Sequence, residues 1–316
     1  MIIALQILGG LLLLFLGGEV LVRGAVALAK GLGLSSFVIG LTVVAYGTSS
    51  PEMVISTQAA LTGHPDIALG NVVGSNISNI LCVLGLTAII YPIAIDKKLG
   101  SFDGLFMLIV TCLLFGLLFL GTLNYIAGSI FLTVLVIYTF MVFKKARESK
   151  DLAPEAQTAE IEGQIKIKLN LWQSIAACLV GLVLLTLGGN TLIGGAVSLA
   201  KIAGLSEAAI ALTIVAFGSS LPELITSVVA AYRNNSEIAF GNIIGSNLFN
   251  ILGILGVTSM LAEVPVSEQF MRFDMPILLV VTLSLFAIIL YMPKISRSIG
   301  VLYFSSYIAY VAAQFV

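Results

Sequence analysis

Two stretches of the chain, residues 40–85 and 211–256, are copies of one another, and each places a carboxylate inside an apolar segment. The first contains GLTVVAYGTSSPEMVIS and IALGNVVGSNISNILCVLG; the second contains ALTIVAFGSSLPELITS and IAFGNIIGSNLFNILGILG. About half of the positions are identical, and one offset of 171 residues relates Glu52 to Glu223 and Asn79 to Asn250 without a gap. Whatever the first copy folds into, the second must fold into as well. In a chain that crosses a membrane, two Gly/Pro-interrupted apolar segments at matching places in two halves point to the substrate site of a secondary transporter.

That the chain does cross a membrane follows from its composition. It is 59% hydrophobic and 10% charged, with a mean hydropathy of +1.12, whereas soluble domains are about 25% charged. At about 20 apolar residues per crossing, the sequence predicts about ten spans, near 3–29, 37–61, 67–91, 103–121, 124–143, 172–200, 208–232, 238–262, 273–291 and 298–315. The expected fold is therefore an all-α polytopic membrane protein. The N-terminal MIIALQILGGLLLLFLGG lacks a basic leader and a small-residue cleavage pattern, so it reads as a retained first span. The one long hydrophilic stretch, around KKARESKDLAPEAQTAEIEGQ, reads as a linker over residues 144–171 between a first half (1–143) and a second half (172–316). A net charge of −1 gives no sign of a nucleic-acid partner. Cys82, Cys112 and Cys178 all sit in apolar stretches and read as small packing residues rather than a disulfide framework.

Lysine and arginine decide the orientation. Arg23, Lys30, Lys97, Lys98, Lys144, Lys145, Arg147, Lys150, Lys166, Lys168, Arg233, Lys294 and Arg297 fall on one side of the predicted topology, and only Lys201 and Arg272 on the other. The rich side is expected to be cytoplasmic, with the linker inside and both termini outside. Glu52 is in the second span and Glu223 in the seventh. An odd number of crossings separates them, so the copies insert upside down relative to each other, giving two inverted five-helix repeats. Charge fades where the copy faces out: Asn190 replaces Glu19, and Gly194 replaces Arg23.

Four polar clusters fall near mid-span. Thr48, Ser49 and Glu52 surround a break made by Gly47 and Pro51. Proline cannot donate to the carbonyl of Gly47, and its ring opens that turn. Ser219, Ser220 and Glu223 repeat the arrangement around Gly218 and Pro222. Ser75 and Asn79, four apart on one helical face, are mirrored by Ser246 and Asn250. Freed carbonyls at membrane depth are tolerated where they are buried in protein or line a wet cavity. Polar residues in membrane helices often only bond a neighbouring helix, and Asn71 and Asn242, near the starts of their spans, read that way or as helix caps. The glutamates do not. A mid-membrane carboxylate costs about 2.5–3.5 kcal/mol, and no basic residue is placed to pair with it.

The available ligands are two carboxylates, hydroxyls, amide oxygens and backbone carbonyls, without thiolate or imidazole. Hard oxygens suit Ca²⁺ or Na⁺ rather than Zn²⁺ or Cu⁺. Two carboxylates balance one Ca²⁺, two Na⁺ or two protons, and such mutually exclusive occupancy is what an exchanger requires. The single histidine, His64, sits in a His-Pro-Asp turn and reads as ordinary loop.

The segments GTSSPE and GSSLPE, each followed by GN-x-x-GSN-x-x-N, resemble the two α-repeats of the Ca²⁺/cation antiporter superfamily, which contains the sodium/calcium exchangers. The resemblance covers both halves. It implies two inverted five-helix halves whose second and third helices form an ion-binding core, with the first helix of each half sliding across that core to alternate access. It further implies that Glu52 and Glu223 bind Ca²⁺ and share the site with Na⁺, that the carbonyls of Thr48 and Ser219 complete the Ca²⁺ shell, and that Ala45, Ser49, Ser75, Ala216, Ser220 and Ser246 offer oxygens to Na⁺. Asn79 and Asn250 match the pair between the sites. Many sodium/calcium exchangers have an aspartate where this chain has Asn250, which lowers the central charge. The large regulatory loop of the animal exchangers is also missing, which argues against Ca²⁺ regulation by separate domains.

The expected function is thus Ca²⁺/Na⁺ antiport in a prokaryotic cell membrane, by a protein that is not an enzyme and has no cofactor beyond its transported ions. Exchange against H⁺, or with K⁺ assisting, is the nearest rival. A passive channel often assembles its pore from rings of identical subunits, whereas this chain holds both halves of a site. An enzyme acting on lipid pyrophosphates would need clustered aspartates or basic phosphate clamps in the membrane, and none are present.

Overall fold

The computed structural model describes residues 2–95, 97–152, 169–202, 216–268 and 270–314. In the first half the helices are α1 (Ile2–Leu32), α2 (Ser36–Thr48), α3 (Ser50–Leu61), α4 (Pro65–Ile90), α5 (Lys97–Leu118) and α6 (Tyr125–Leu152). The second half runs α7 (Leu171–Ile202), α8 (Ala216–Ser219), α9 (Leu221–Tyr232), α10 (Ser236–Leu261), α11 (Phe270–Tyr291) and α12 (Arg297–Ala313). Seven of these are long and apolar enough to cross a membrane, and the bent pair α2–α3 makes up to eight. α9 is a shorter apolar helix, and α12 has 17 residues. The first part of the span expected near 208–232 and most of the expected linker lie outside the described residues.

The linker was expected to begin at residue 144, but α6 continues to Leu152. KKARESK consists mostly of good helix formers, and Lys144 pairs with Glu148 one turn on at 3.9 Å, so the helix outlasts its apolar stretch. The start of α7 is fixed by a reciprocal cap. The Asn170 side chain accepts from the Gln173 N–H, and the Gln173 side chain accepts from the Asn170 N–H, both at 2.9 Å.

The two halves meet along α1 and α7, which run antiparallel. Glycines recur every seven residues on both helices, and each faces a residue with a side chain: Gly10 meets Leu192, Gly17 meets Leu185, Gly24 meets Cys178, while Gly181 meets Leu21 and Gly188 meets Leu14. A Cβ added at any of these five would lie 2.6–2.8 Å from a backbone nitrogen of the opposite helix. Apolar side chains gain nothing by leaving lipid for protein, so membrane helices associate through close van der Waals packing at small residues. The heptad glycines supply that closeness.

The inner helices cross over in the same reciprocal way. Gly85 on α4 approaches Gly300 and Phe304 on α12, and Gly256 on α10 approaches Gly128 and Leu132 on α6. Four two-residue strands reinforce the exchange: β1 (Ile93–Ala94), β2 (Thr122–Leu123), β3 (Val264–Pro265) and β4 (Lys294–Ile295). β1 pairs antiparallel with β4 (Ile93 opposite Ile295), and β2 with β3 (Leu123 opposite Val264), so each pair joins one half to the other. Burial locates the centre. The apolar stretch of α10 is entirely buried and that of α4 is 78% buried, against 28–33% for α1, α6 and α7. α4 and α10 form the middle of the protein, and the others surround them.

Candidate functional site

Both breaks form where proline dictates. α2 stops at Ser49 (φ −86°, ψ 4°), and α3 leaves at 43° to it with Pro51 in its first turn. There proline's missing N–H costs nothing and its fixed φ suits a helix start. Ser220 (φ −83°, ψ 4°) and Pro222 reproduce this between α8 and α9. Glu52 and Glu223 therefore each occupy a helix first turn, where the positive end of the helix dipole favours a carboxylate. On the facing helices, regular α-turns widen into single π-turns that begin at Asn79 (Asn79–Val83) and Asn250 (Asn250–Ile254). Such bulges recur at functional sites.

Most of the expected residues are buried. Ala45, Thr48, Ser49 and Glu52 are buried on the first break, Ser220 and Glu223 on the second, Ser75 and Asn79 on α4, and Ser246 and Asn250 on α10. Ser219 is half-buried, and Ala216 opens α8. Hydrogen bonds then join the halves. Ser49 Oγ donates to Glu223 Oε1 at 2.9 Å, and Thr48 Oγ1 donates to Asn242 Oδ1 at 3.3 Å. Asn250 Nδ2 donates to Asn76 Oδ1 at 3.0 Å, linking α10 to α4.

Asn71 and Asn242 are not caps; His64 and Asn235 hold the positions before their helices. Asn71 Nδ2 donates to the Glu52 carbonyl at 3.3 Å and to Ser56 Oγ at 2.8 Å. Asn242 Nδ2 donates to the Glu223 carbonyl at 3.4 Å and to Ser227 Oγ at 3.0 Å. Each amide therefore holds the backbone of a glutamate, so the bond to a neighbouring helix is also what fixes the carboxylate. Asn71, Asn76 and Asn242 join this centre without having been singled out for it, although the repeated GN-x-x-GSN segment contains all three.

The chemistry is set by what has no partner. Glu52 Oε2, Glu223 Oε2, Ser246 Oγ, Asn247 Oδ1 and Asn250 Oδ1 are buried without a hydrogen-bond partner in the protein. A buried unsatisfied polar atom costs about 1–3 kcal/mol, and more if charged. The two carboxylate oxygens lie on helix first turns that the Ser49–Glu223 bond draws together, and a desolvated cation can offset both. Among the described residues no group of three or more His, Cys, Asp or Glu side chains could hold a metal. The donor set here is instead a mixture of two carboxylates with neutral oxygens, which suits hard ions.

Two further carboxylates are buried, and the sequence reading did not single them out. Asp103 on α5 accepts from the Tyr138 hydroxyl of α6 at 2.6 Å. Asp274 on α11 accepts from the Tyr310 hydroxyl and Gln314 Nε2, both at 2.9 Å. They tie neighbouring helices together outside the four central elements, α3, α4, α9 and α10.

The family described as sodium/calcium exchanger protein matches residues 2–144 and 173–316. The chain is 36% identical over 293 residues to the putative antiporter CaxA of Alkalimonas amylolytica, covering 92% of this chain and 91% of that protein. It is 35% identical over 305 residues to an uncharacterized membrane protein of Methanocaldococcus jannaschii, covering 96% and 95%. Its fold matches a structure of the sodium-calcium exchanger NCX_Mj with a TM-score of 0.84 at 32% identity, over 99% of this chain and 98% of that one.

Proposed function

The chain belongs to the sodium/calcium exchanger protein family, and from that membership and the chemistry of its centre we propose that it is an integral membrane antiporter exchanging Ca²⁺ for Na⁺. The observation that carries the reading is the pair of buried carboxylate oxygens, Glu52 Oε2 and Glu223 Oε2, that have no partner in the protein. Ca²⁺ is held by the two carboxylates together with the carbonyls of Thr48 and Ser219. Na⁺ uses the same carboxylates and the neutral oxygens near Ala45, Ser49, Ser75, Ala216, Ser220 and Ser246, with Asn79 and Asn250 between the sites.

In this reading ten membrane helices form two inverted five-helix halves, 1–143 and 172–316, joined by the stretch 144–171, whose first part extends α6 to Leu152. The antiparallel course of α1 and α7 and the reciprocal glycine contacts support it. Access alternates as the α1–α7 pair moves across the central four elements.

The coupling ion follows from the neutral oxygens. A proton needs only the carboxylates, whereas Na⁺ must have its hydration shell replaced by several oxygens. Proteoliposomes loaded with Na⁺ are expected to accumulate Ca²⁺, with uptake surviving collapse of the pH gradient and unaffected by K⁺. Uptake that follows an imposed pH gradient and ignores Na⁺ would replace this reading with Ca²⁺/H⁺ exchange.

The positive-inside bias places the linker in the cytoplasm and both termini outside. A single cysteine at Ala156, in a background without Cys82, Cys112 and Cys178, is expected to resist impermeant thiol reagents in intact cells. Ready labelling from outside would reverse the orientation while leaving the inverted repeat intact.

A further inference from the structure

The internal repeat is broken at a contact made by α1. Glu19 on α1 has a side chain only 13% exposed, and two guanidiniums share it. Arg23, one turn further along α1, approaches Oε1 at 2.5 Å. Arg233, the residue after α9, donates Nε to Oε2 at 3.0 Å and Nη2 to Oε1 at 2.6 Å. Such a two-pronged pair is the stronger and more directional kind of ionic contact. It joins α1 to the helix whose first turn holds Glu223. Beside it, α1 is seated directly on α9: a Cβ at Gly18 would lie 3.0 Å from Ile225 and 3.3 Å from Val229.

The repeat-related contact, α7 with α3, has neither feature. Asn190, Gly194 and Thr62 stand where Glu19, Arg23 and Arg233 stand in the other copy. Gly189, the counterpart of Gly18, has no atom of the described residues within 4 Å of its would-be Cβ. Val54 and Gln58, the counterparts of Ile225 and Val229, instead line an open groove of about 560 Å³ together with Met53, Thr57 and Leu61. One seat is thus filled and charged, and the other is open and uncharged.

We propose that Glu19 and Arg233 are positioning residues for exchange: their ion pair latches α1 onto α9 and biases the protein toward the conformer in which the Arg233 side is closed. This rests on the exchange reading above. Repeated halves make the two seatings near-equivalents. An interaction present in only one of them supplies a differential free energy, and only a differential term shifts such an equilibrium. Arg23 travels with Glu19 on the same helix, so its loss leaves the bond between helices in place.

Two measurements on the reconstituted full-length chain test the latch. The first is the distance between spin labels at Leu61 on α3 and Leu187 on α7, both exposed, in the background without native cysteines. The second is the half-saturating Ca²⁺ concentration on each face. Arg233→Gln and Glu19→Gln are each expected to raise the population with α7 drawn onto α3 about tenfold, equivalent to about 1.4 kcal/mol. They should also lower half-saturating Ca²⁺ on the Arg233 face while raising it on the other. Arg233→Lys, which keeps the charge, should show a smaller shift than Arg233→Gln, and Arg23→Gln should leave both readouts near the parent values. Unchanged distances together with unchanged affinities on the two faces in Arg233→Gln would overturn the latch, even with exchange intact. Should the parent protein exchange no ions at all, the exchange reading fails, and the distance measurement still decides the latch.

Discussion

Glu52→Gln and Glu223→Gln are each expected to lower Ca²⁺ exchange at least about a hundredfold while leaving a folded, inserted protein. Glutamine keeps the shape of the side chain and its place in the helix first turn. It removes the charge that offsets dehydration of a divalent ion. At an effective dielectric of about 20, unit charges 4 Å apart attract by about 4 kcal/mol, and a divalent ion by about twice that, so losing one carboxylate removes several decades of affinity. The rest of each glutamate's environment survives the change, because Asn71 and Asn242 grip backbone carbonyls rather than the carboxylates. Ser49→Ala is a milder companion: it deletes the 2.9 Å bond to Glu223 Oε1 and one neutral oxygen proposed for Na⁺ but keeps both carboxylates, and should cost about tenfold, in line with one hydrogen bond to a charged group. The measurement is Na⁺-driven ⁴⁵Ca²⁺ uptake into proteoliposomes, normalised to inserted protein. Near-normal flux in either glutamine variant would remove the two carboxylates from the site.

Much of this centre is legible in the sequence, for a physical reason. Local covalent constraints write themselves into the chain. Pro51 and Pro222 cannot sit inside a helix, so the breaks fall beside them, and the glutamates next to those breaks are costly enough in lipid to identify themselves. The repeat offset then pairs every central residue with a partner. Long-range hydrogen bonds leave no such mark. Nothing local distinguishes Asn71, which holds the Glu52 carbonyl, from an asparagine that merely caps a helix, nor shows that Asn76 will meet Asn250 from the other half. Asp103 and Asp274 escape notice for a related reason. Each lies near a span end, where a carboxylate reads as interfacial, and only the packing of Tyr138 and Tyr310 against them reveals their burial. The π-turns at Asn79 and Asn250 are likewise invisible, because the sequence there keeps an ordinary helical composition.

Gly17→Leu is expected to unfold the protein at far lower temperature and to cut transport more than about tenfold, while Gly9→Leu on the same helix stays near the parent. The two substitutions are chemically identical and lie two turns apart on α1. Gly17 lies against α7, where a Cβ would fall 2.8 Å from the backbone nitrogen of Leu185, whereas Gly9 has no described atom within 4 Å. At Gly17 the clash is with backbone, so no rotamer change relieves it, and α1 and α7 must separate. Overpacking a tight core costs about 1–3 kcal/mol. Here the cost is compounded, because separation at one glycine also opens Leu14–Gly188 and Leu21–Gly181, whose spacing is set by the same backbone distance. Lipid fills the gap without penalty, so the hydrophobic effect does not pull the helices back together. Transport suffers separately from stability, since a pair that moves as one unit in the proposed exchange cycle would lose its rigidity. Thermal unfolding in detergent and initial uptake rates in proteoliposomes check the two effects. Equal behaviour of Gly17→Leu and Gly9→Leu in both would show that the α1–α7 seam is not what holds the halves together.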